Sequence, residues 1–169
     1  MVATVTTKEQ LTGIRSARRR HYQAQDARMT LADGLAEYYA ANAGRVTPPG
    51  ALPLESQALF RSHDICHVIF GLDTTLEDEA MADTRTLLSS DVGWGRYSRY
   101  LSSDAQTKAI FKEVGYLTVL RGTLRAVPRM LRAVGEAWRM HGRWPWEPPE
   151  AFMDRTLADL RREFRIRVV

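Results

Sequence analysis

Two histidines one helical turn apart, with an aspartate between them, are the residues of this chain best suited to chemistry. They are His63, Asp64 and His67 in the run Ser62-His-Asp-Ile-Cys-His-Val-Ile-Phe-Gly71. An α-helix advances about 100° per residue, so His63 and His67 lie about 40° apart around the axis, with Asp64 just beyond on the same side. An imidazole pair at this spacing can bite one divalent cation, as on the zinc-protease helix, although the glutamate inside that motif is missing. A closed tetrahedron needs a fourth donor, and Glu79 is the candidate. Gly71 and the cap-forming run Asp73-Thr74-Thr75 break the helix, so the chain can turn and present Glu79 from the next one. His63, Asp64, His67 and Glu79 would form an N2O2 set, which suits zinc and accepts iron or manganese. Histidine pairs also arise by chance on solvated helices. Here, however, two of the four histidines fall within one turn beside an aspartate. Cys66 points to another side of that turn and is expected as a small buried hydrophobe, not a ligand.

The elements that must position these groups are helices, because apolar residues recur at intervals of three and four. Thr6 or Thr7 with Glu9 and Gln10 offers a capping box for a first helix, whose face is Leu11, Ile14, Ala17, Arg18 and Tyr22. Residues 29–42 form a second, with Leu31, Leu35, Tyr38 and Tyr39 inward and Gly44 after it. Pro48, Pro49, Gly50 and Pro53 mark a loop. A third helix covers 55–70 and stops at Gly71. The fourth, with Glu77 or Asp78 completing a capping box, ends near Ser89, and 91–95 reads as a glycine-rich turn. From Asp104 a long pattern runs through Ile110, Phe111, Val114, Leu117, Leu124, Val127, Leu131, Val134 and Trp138. Pro128 is expected to kink or break it near Val127. A last helix spans 149–164, with Pro149 in its first turn. The expectation is an all-α, single compact multi-helix domain over residues 1–169, with a metal site on a helical hairpin.

Composition narrows the function classes. Hydrophobic residues make up 44% and charged residues 26% of the 169, within the globular range. One cysteine excludes an intramolecular disulfide framework and favours a reducing compartment. No apolar run reaches the length of a bilayer span. Arg15, Arg18, Arg19 and Arg20 suggest a transit peptide, but Glu9 and Asp26 in the same stretch argue against one. Nucleic acid is not an expected partner, since finger spacings, RNP-like strands and lysine tracts are lacking. Gly93-Trp94-Gly95 does not follow a strand, so no flavin or nicotinamide fingerprint is read from it. Arg121, Arg125, Arg129, Arg132 and Arg139 line one side of the long helix, opposed by little more than Glu136. They form either a basic face for anionic lipid or an acidic partner, or a solvated arginine face. Trp144 and Trp146 are membrane-interface anchors or core plugs.

His63-Asp64-x-x-His67 followed by eleven residues and Glu79 resembles the HDxxH-x11-E signature of the coenzyme Q biosynthesis protein 4 family. Gly71-Leu72 after the histidine turn, Trp146-Glu147, and the closing segment Leu157-Ala-Asp-Leu-Arg-Arg-Glu-Phe are similar to that family as well. The resemblance extends over residues 56–90 and, less closely, 143–166. It implies an all-helical fold, a divalent metal usually described as zinc on His63, Asp64, His67 and Glu79, and a role in making ubiquinone. It further implies peripheral membrane attachment, binding of prenylated quinone precursors or other isoprenoid lipids, and contact with other quinone-biosynthesis enzymes. The activity implied is oxidative decarboxylation, a lyase reaction, at ring carbon one of a polyprenylated benzoate. The corresponding location is the cytoplasmic face of a bacterial inner membrane, or the matrix side of the mitochondrial one.

A metal with an open position would act as a Lewis acid toward a phenolate or carboxylate of such a precursor. The oxidative step would also require an electron acceptor, either oxygen or a redox metal. The prenyl tail needs an apolar groove, which the Ile110-to-Trp138 face and the Leu31, Leu35, Tyr38 face would line if they are not plain core. A homodimer is a further expectation. Two rival readings stand beside this one. An HD-type metal-dependent phosphohydrolase would need an upstream histidine (His21) and a downstream acid (Asp83 or Asp104). A non-catalytic prenyl-lipid scaffold would use a closed, structural four-ligand site.

Overall fold

The computed structural model describes residues 19–103 and 116–168. Most of the expected first helix lies outside them, as do Ile110, Phe111 and Val114; its last residues, His21–Gln23, form a 3-10 turn. The elements are α1 (Leu31–Ala41), α2 (Leu54–Phe70), α3 (Leu76–Ser89), α4 (Gly93–Ser103), α5 (Tyr116–Ala137) and α6 (Leu157–Phe164). Among the described residues there are isolated bridges and no strand. The protein is all-α.

Local chemistry sets where each helix begins and ends. Thr30 opens α1 with a reciprocal capping box: its hydroxyl accepts the Asp33 N–H while the Asp33 carboxylate accepts the Thr30 N–H. Helix α2 stops at Gly71, which takes the left-handed conformation (φ 71°). The Leu72 N–H then closes back on the His67 carbonyl at 2.8 Å. Thr75 caps α3 by accepting the Asp78 N–H. The expected return bond from the capping box is not made to Thr75, because the Asp78 carboxylate accepts the Asp73 N–H and an Arg129 guanidinium N–H instead.

Three expectations along the chain are corrected. The turn expected at 91–95 is the start of α4: glycines at 93 and 95 disguise its first turn, and Tyr97 is its anchor in the core. Helix α5 runs through Pro128, so of the kink or break expected near Val127 the break is not made. The last helix does not start at Pro149. A 3-10 turn at Glu150–Phe152 intervenes, and the chain re-nucleates at Thr156, whose hydroxyl accepts the Asp159 N–H.

The core joins Tyr22, Leu31, Tyr38, Ile65, Ile69, Phe70, Met81, Trp144, Trp146 and Leu160. Trp144 and Trp146 are fully buried, so they plug the interior. Arg161 is fully buried too. Its guanidinium donates to the carbonyls of Tyr22, Ala24, Val68 and Ile69. It thereby satisfies two carbonyls of the last turn of α2, which have no partner within the helix. Gly34 lets α1 approach closely: a Cβ there would stand 2.9 Å from Val68 Cγ1 and 3.0 Å from Leu157 Cδ1.

The long helix is turned over relative to expectation. It packs chiefly on α3, with Ala126 and Ala133 buried at the contact. Leu120, Leu124, Val127, Leu131 and Trp138 face outward instead, Trp138 being 86% exposed. Among the described residues the groove between this face and Leu31, Leu35 and Tyr38 is not formed, since the latter three lie in the core.

Candidate metal centre

The hairpin of α2 and α3 carries the site. His63 and His67 project from one face of α2, one turn apart, with ring centroids 4.8 Å apart at 75°. Glu79 and Asp83 are likewise one turn apart on α3. His67 Nε2 lies 3.4 Å from Glu79 Oε2, and His63 Nε2 lies 3.6 Å from Asp83 Oδ1. One donor atom each from His63, His67 and Glu79 can be chosen so that all three lie within 4.8 Å of one another. Both imidazoles are buried, whereas the Glu79 and Asp83 side chains keep 34% and 43% of their exposure. The site has a closed histidine floor and an acidic mouth open to solvent.

Asp64 is placed differently from its expected partners. Like Asp83, it does not join the three-residue cluster. Its Oδ2 accepts the Tyr39 hydroxyl at 2.8 Å, on the side of α2 covered by α1. Burial lifts the Asp64 carboxyl to about 6, although His63, the Tyr39 hydrogen bond and His67 pull the other way. For His67, burial opposes the charged form, but the adjacent Glu79 carboxylate outweighs it, with Asp64 and Asp83 adding to the effect. Its pKa rises to about 9. The Tyr38 ring stacks on His67 with centroids 5.3 Å apart. The Tyr97 hydroxyl donates to Asp83, and burial followed by the Asp83 charge raises its pKa.

The donor set of His63, His67 and Glu79 could hold a divalent cation. In a tetrahedral zinc site with bonds of about 2.0–2.1 Å, donor atoms sit roughly 3.3–3.4 Å apart. Neither ring nitrogen of the fully buried His67 makes a hydrogen bond of ordinary geometry; Nε2 has the 3.4 Å approach of Glu79. Buried polar atoms without such bonds are costly unless another partner satisfies them. Cys66 is buried and outside the cluster, with burial pushing its thiol up to about 12.

Sequence reasoning assigned no place in the centre to Tyr39 or Tyr97, and considered Asp83 only for the rival phosphohydrolase. A signal for Asp83 was present: it follows Glu79 by four residues, on the same helical face. His21, required by that rival, is exposed and pairs with Glu37 at 2.9 Å. Asp104 lies outside the described residues. Arg121, Arg125 and Arg132 on α5, and Arg139 just after it, are exposed. Arg129 is not part of the expected basic face. It turns inward to Asp78 at 2.8 Å and Glu77 at 3.8 Å.

No family model, curated protein or solved structure matches this chain.

Proposed function

We propose that this chain is a divalent-metal protein, with zinc the first candidate and iron or manganese the alternatives, that acts on or presents a polyprenylated benzoate or quinone precursor. The observation that carries the metal part is the convergence of His63, His67 and Glu79 from two helices around one point. The substrate class rests on the resemblance of the His63-Asp64-x-x-His67-x11-Glu79 pattern to the ubiquinone-biosynthesis signature. A bound divalent ion would supply Lewis acidity toward a phenolate or carboxylate of the substrate, as oxidative decarboxylation at ring carbon one requires. The protein's own groups provide the rest. The buried imidazoles exclude water from the floor, and the half-exposed carboxylates leave the approach from the mouth.

The outer face of α5 supports a peripheral membrane role. Leu120, Leu124, Val127 and Leu131, with Trp138 just past the helix end, form an exposed apolar stripe flanked by Arg121, Arg125 and Arg132 and by Arg139 after the helix. The one acid of α5, Glu136, is paired with Arg85 and leaves this charge unopposed. An apolar stripe with basic flanks suits an anionic lipid surface. Among the described residues no helix is long and apolar enough to cross a membrane. The location proposed is the inner face of a bacterial inner membrane or, for a mitochondrial protein, the matrix side, next to the other enzymes of quinone synthesis.

Elemental analysis of the purified protein, with mass spectrometry of co-purifying lipid, tests this reading. One equivalent of a divalent metal, lost in His67→Ala, and an isoprenoid lipid in the extract are expected. A metal-free protein that takes up no zinc, iron or manganese would overturn it. The Asp83–His63 approach at 3.6 Å is the observation in line with the phosphohydrolase as a second reading, whereas its required upstream histidine, His21, pairs with Glu37. Robust turnover of phosphate monoesters or nucleotides would establish that activity in its place. A scaffold role is separated by Glu79→Ala: unfolding on loss of metal marks a structural site, whereas a folded protein that no longer supports quinone synthesis marks a chemical one.

A further inference from the structure

We infer that Asp83, and not Asp64, supplies the fourth donor of the metal centre. The inference rests on the metal reading above and changes the ligand set within it. Two pairs spaced by four residues face each other across the antiparallel hairpin. His63 stands opposite Asp83 and His67 opposite Glu79, in one register, so the same geometry that brings in Glu79 brings in Asp83. The two cross-hairpin separations, 3.6 Å and 3.4 Å, are close to the roughly 3.3–3.4 Å edge of a tetrahedral zinc site. They place one imidazole and one carboxylate on each of two opposite edges. Asp64 has the opposite character. It follows His63 by one residue, about 100° further round the axis, and its carboxylate is engaged by Tyr39 of α1. It accepts the Tyr39 hydroxyl at 2.8 Å, and although neither Asp64 nor Asp83 belongs to the three-donor cluster, Asp83 approaches His63 Nε2 at 3.6 Å. The Tyr97 hydroxyl, donating to Asp83 from α4, steadies the carboxylate at the mouth.

Cobalt(II) reports on the ligand set directly. The parent protein, stripped with chelator and loaded with cobalt, is expected to bind one equivalent and to show the intense visible bands of a four-coordinate N2O2 site. In Asp83→Cys, a thiolate-to-cobalt charge-transfer band absent from the parent should appear in the near ultraviolet. The position is half-exposed, so the substitution spares the core. Asp64→Asn and Tyr39→Phe should leave the visible bands of the parent unchanged, even where affinity drops by the roughly 10–100-fold typical of residues behind the ligands. If Asp64→Asn does not fold, Tyr39→Phe alone decides that arm. A folded, cobalt-loaded Asp83→Cys without a charge-transfer band overturns the inference, as does loss of the four-coordinate bands in Asp64→Asn or, in its place, Tyr39→Phe. Failure of the parent itself to bind cobalt or zinc sinks the metal reading instead, so the two failures are told apart.

Discussion

Replacing Glu79 with glutamine keeps the shape of the side chain and removes its charge, which isolates the electrostatics of the centre. In the metal-free protein, burial disfavours a charged His67, yet the carboxylate 3.4 Å away raises its pKa from 6.5 to about 9. A histidine whose folded-state pKa lies above its unfolded value adds stability that is fully present below pH 6.5. That stability drains away as pH climbs through 9. Each pKa unit corresponds to about 1.4 kcal/mol, so the whole contribution is roughly 3 kcal/mol, most of it in force at pH 7. In Glu79→Gln, burial is left as the dominant influence and His67 is neutral throughout this range. The variant should lose about 2–3 kcal/mol at neutral pH and show a flat stability profile where the parent declines. Urea unfolding of chelator-treated protein across pH 6.5 to 9 measures this, with NMR titration of the histidine ring protons as the direct check. Parallel decline of parent and variant would refute the reasoning, because Glu79 could not then be what holds the His67 proton. The same proton must leave before an imidazole can coordinate a cation. Apparent metal affinity of the parent should therefore rise about tenfold per pH unit until pH 9.

Other expectations follow from the surrounding structure. Gly71→Ala combines a left-handed backbone, costing about 1–2 kcal/mol for a non-glycine residue, with a Cβ driven into the Val168 side chain. A loss of about 2–4 kcal/mol is expected in denaturant unfolding, and a variant as stable as the parent would contradict it. Arg161→Met removes the guanidinium from four carbonyls, of which Ala24 and Val68 keep the backbone N–H groups of Ala27 and Gly71, so at most two are left unsatisfied. At about 1–3 kcal/mol for each buried group left unsatisfied, thermal unfolding should show a loss of about 2–6 kcal/mol; an unchanged melting temperature would count against the staple. Arg125→Glu with Arg132→Glu should abolish co-sedimentation with anionic vesicles, and the parent's binding should weaken with added salt. Equal binding to zwitterionic vesicles would argue against an electrostatic dock.

Helix geometry alone made much of the centre legible. Four-residue spacing put His63 and His67 on one face, and Gly71 with the Thr75 cap announced the reversal that delivers Glu79. Asp64 was harder to place, because its angle on α2 lies between two neighbours. Only packing shows that Tyr39 of α1 takes its carboxylate. The long helix shows the same limit more sharply. Its leucines read as the buried face, yet Ala126 and Ala133 are the residues buried, and Arg129 and Glu136 are drawn in by Asp78 and Arg85. Small residues permit close approach to α3, and paired charges tolerate burial; neither preference is visible in apolar periodicity. Helix α4 went unread for a local reason, since its opening glycines carry turn propensity while Tyr97 supplies its hold on the core.

The placement of the clamps explains why the donors differ in freedom. The last turn of α2 is fixed by Gly71 and by the Arg161 bonds to Val68 and Ile69, immediately after His67. The first turn of α3 is fixed by Thr75 and by the Asp78–Arg129 pair, immediately before Glu79. Both helices are therefore anchored within a turn of the innermost His67–Glu79 contact, which is the arrangement a preorganised ligand pair needs. The His63–Asp83 pair lies one turn further along each helix, and Asp83 is the most exposed of the four groups. A cation would enter and leave past Asp83, between carboxylates that repel each other until it arrives. That repulsion, together with the charge it places on His67, makes the metal-free hairpin the state whose stability depends on protons. The loaded hairpin should be the one that does not.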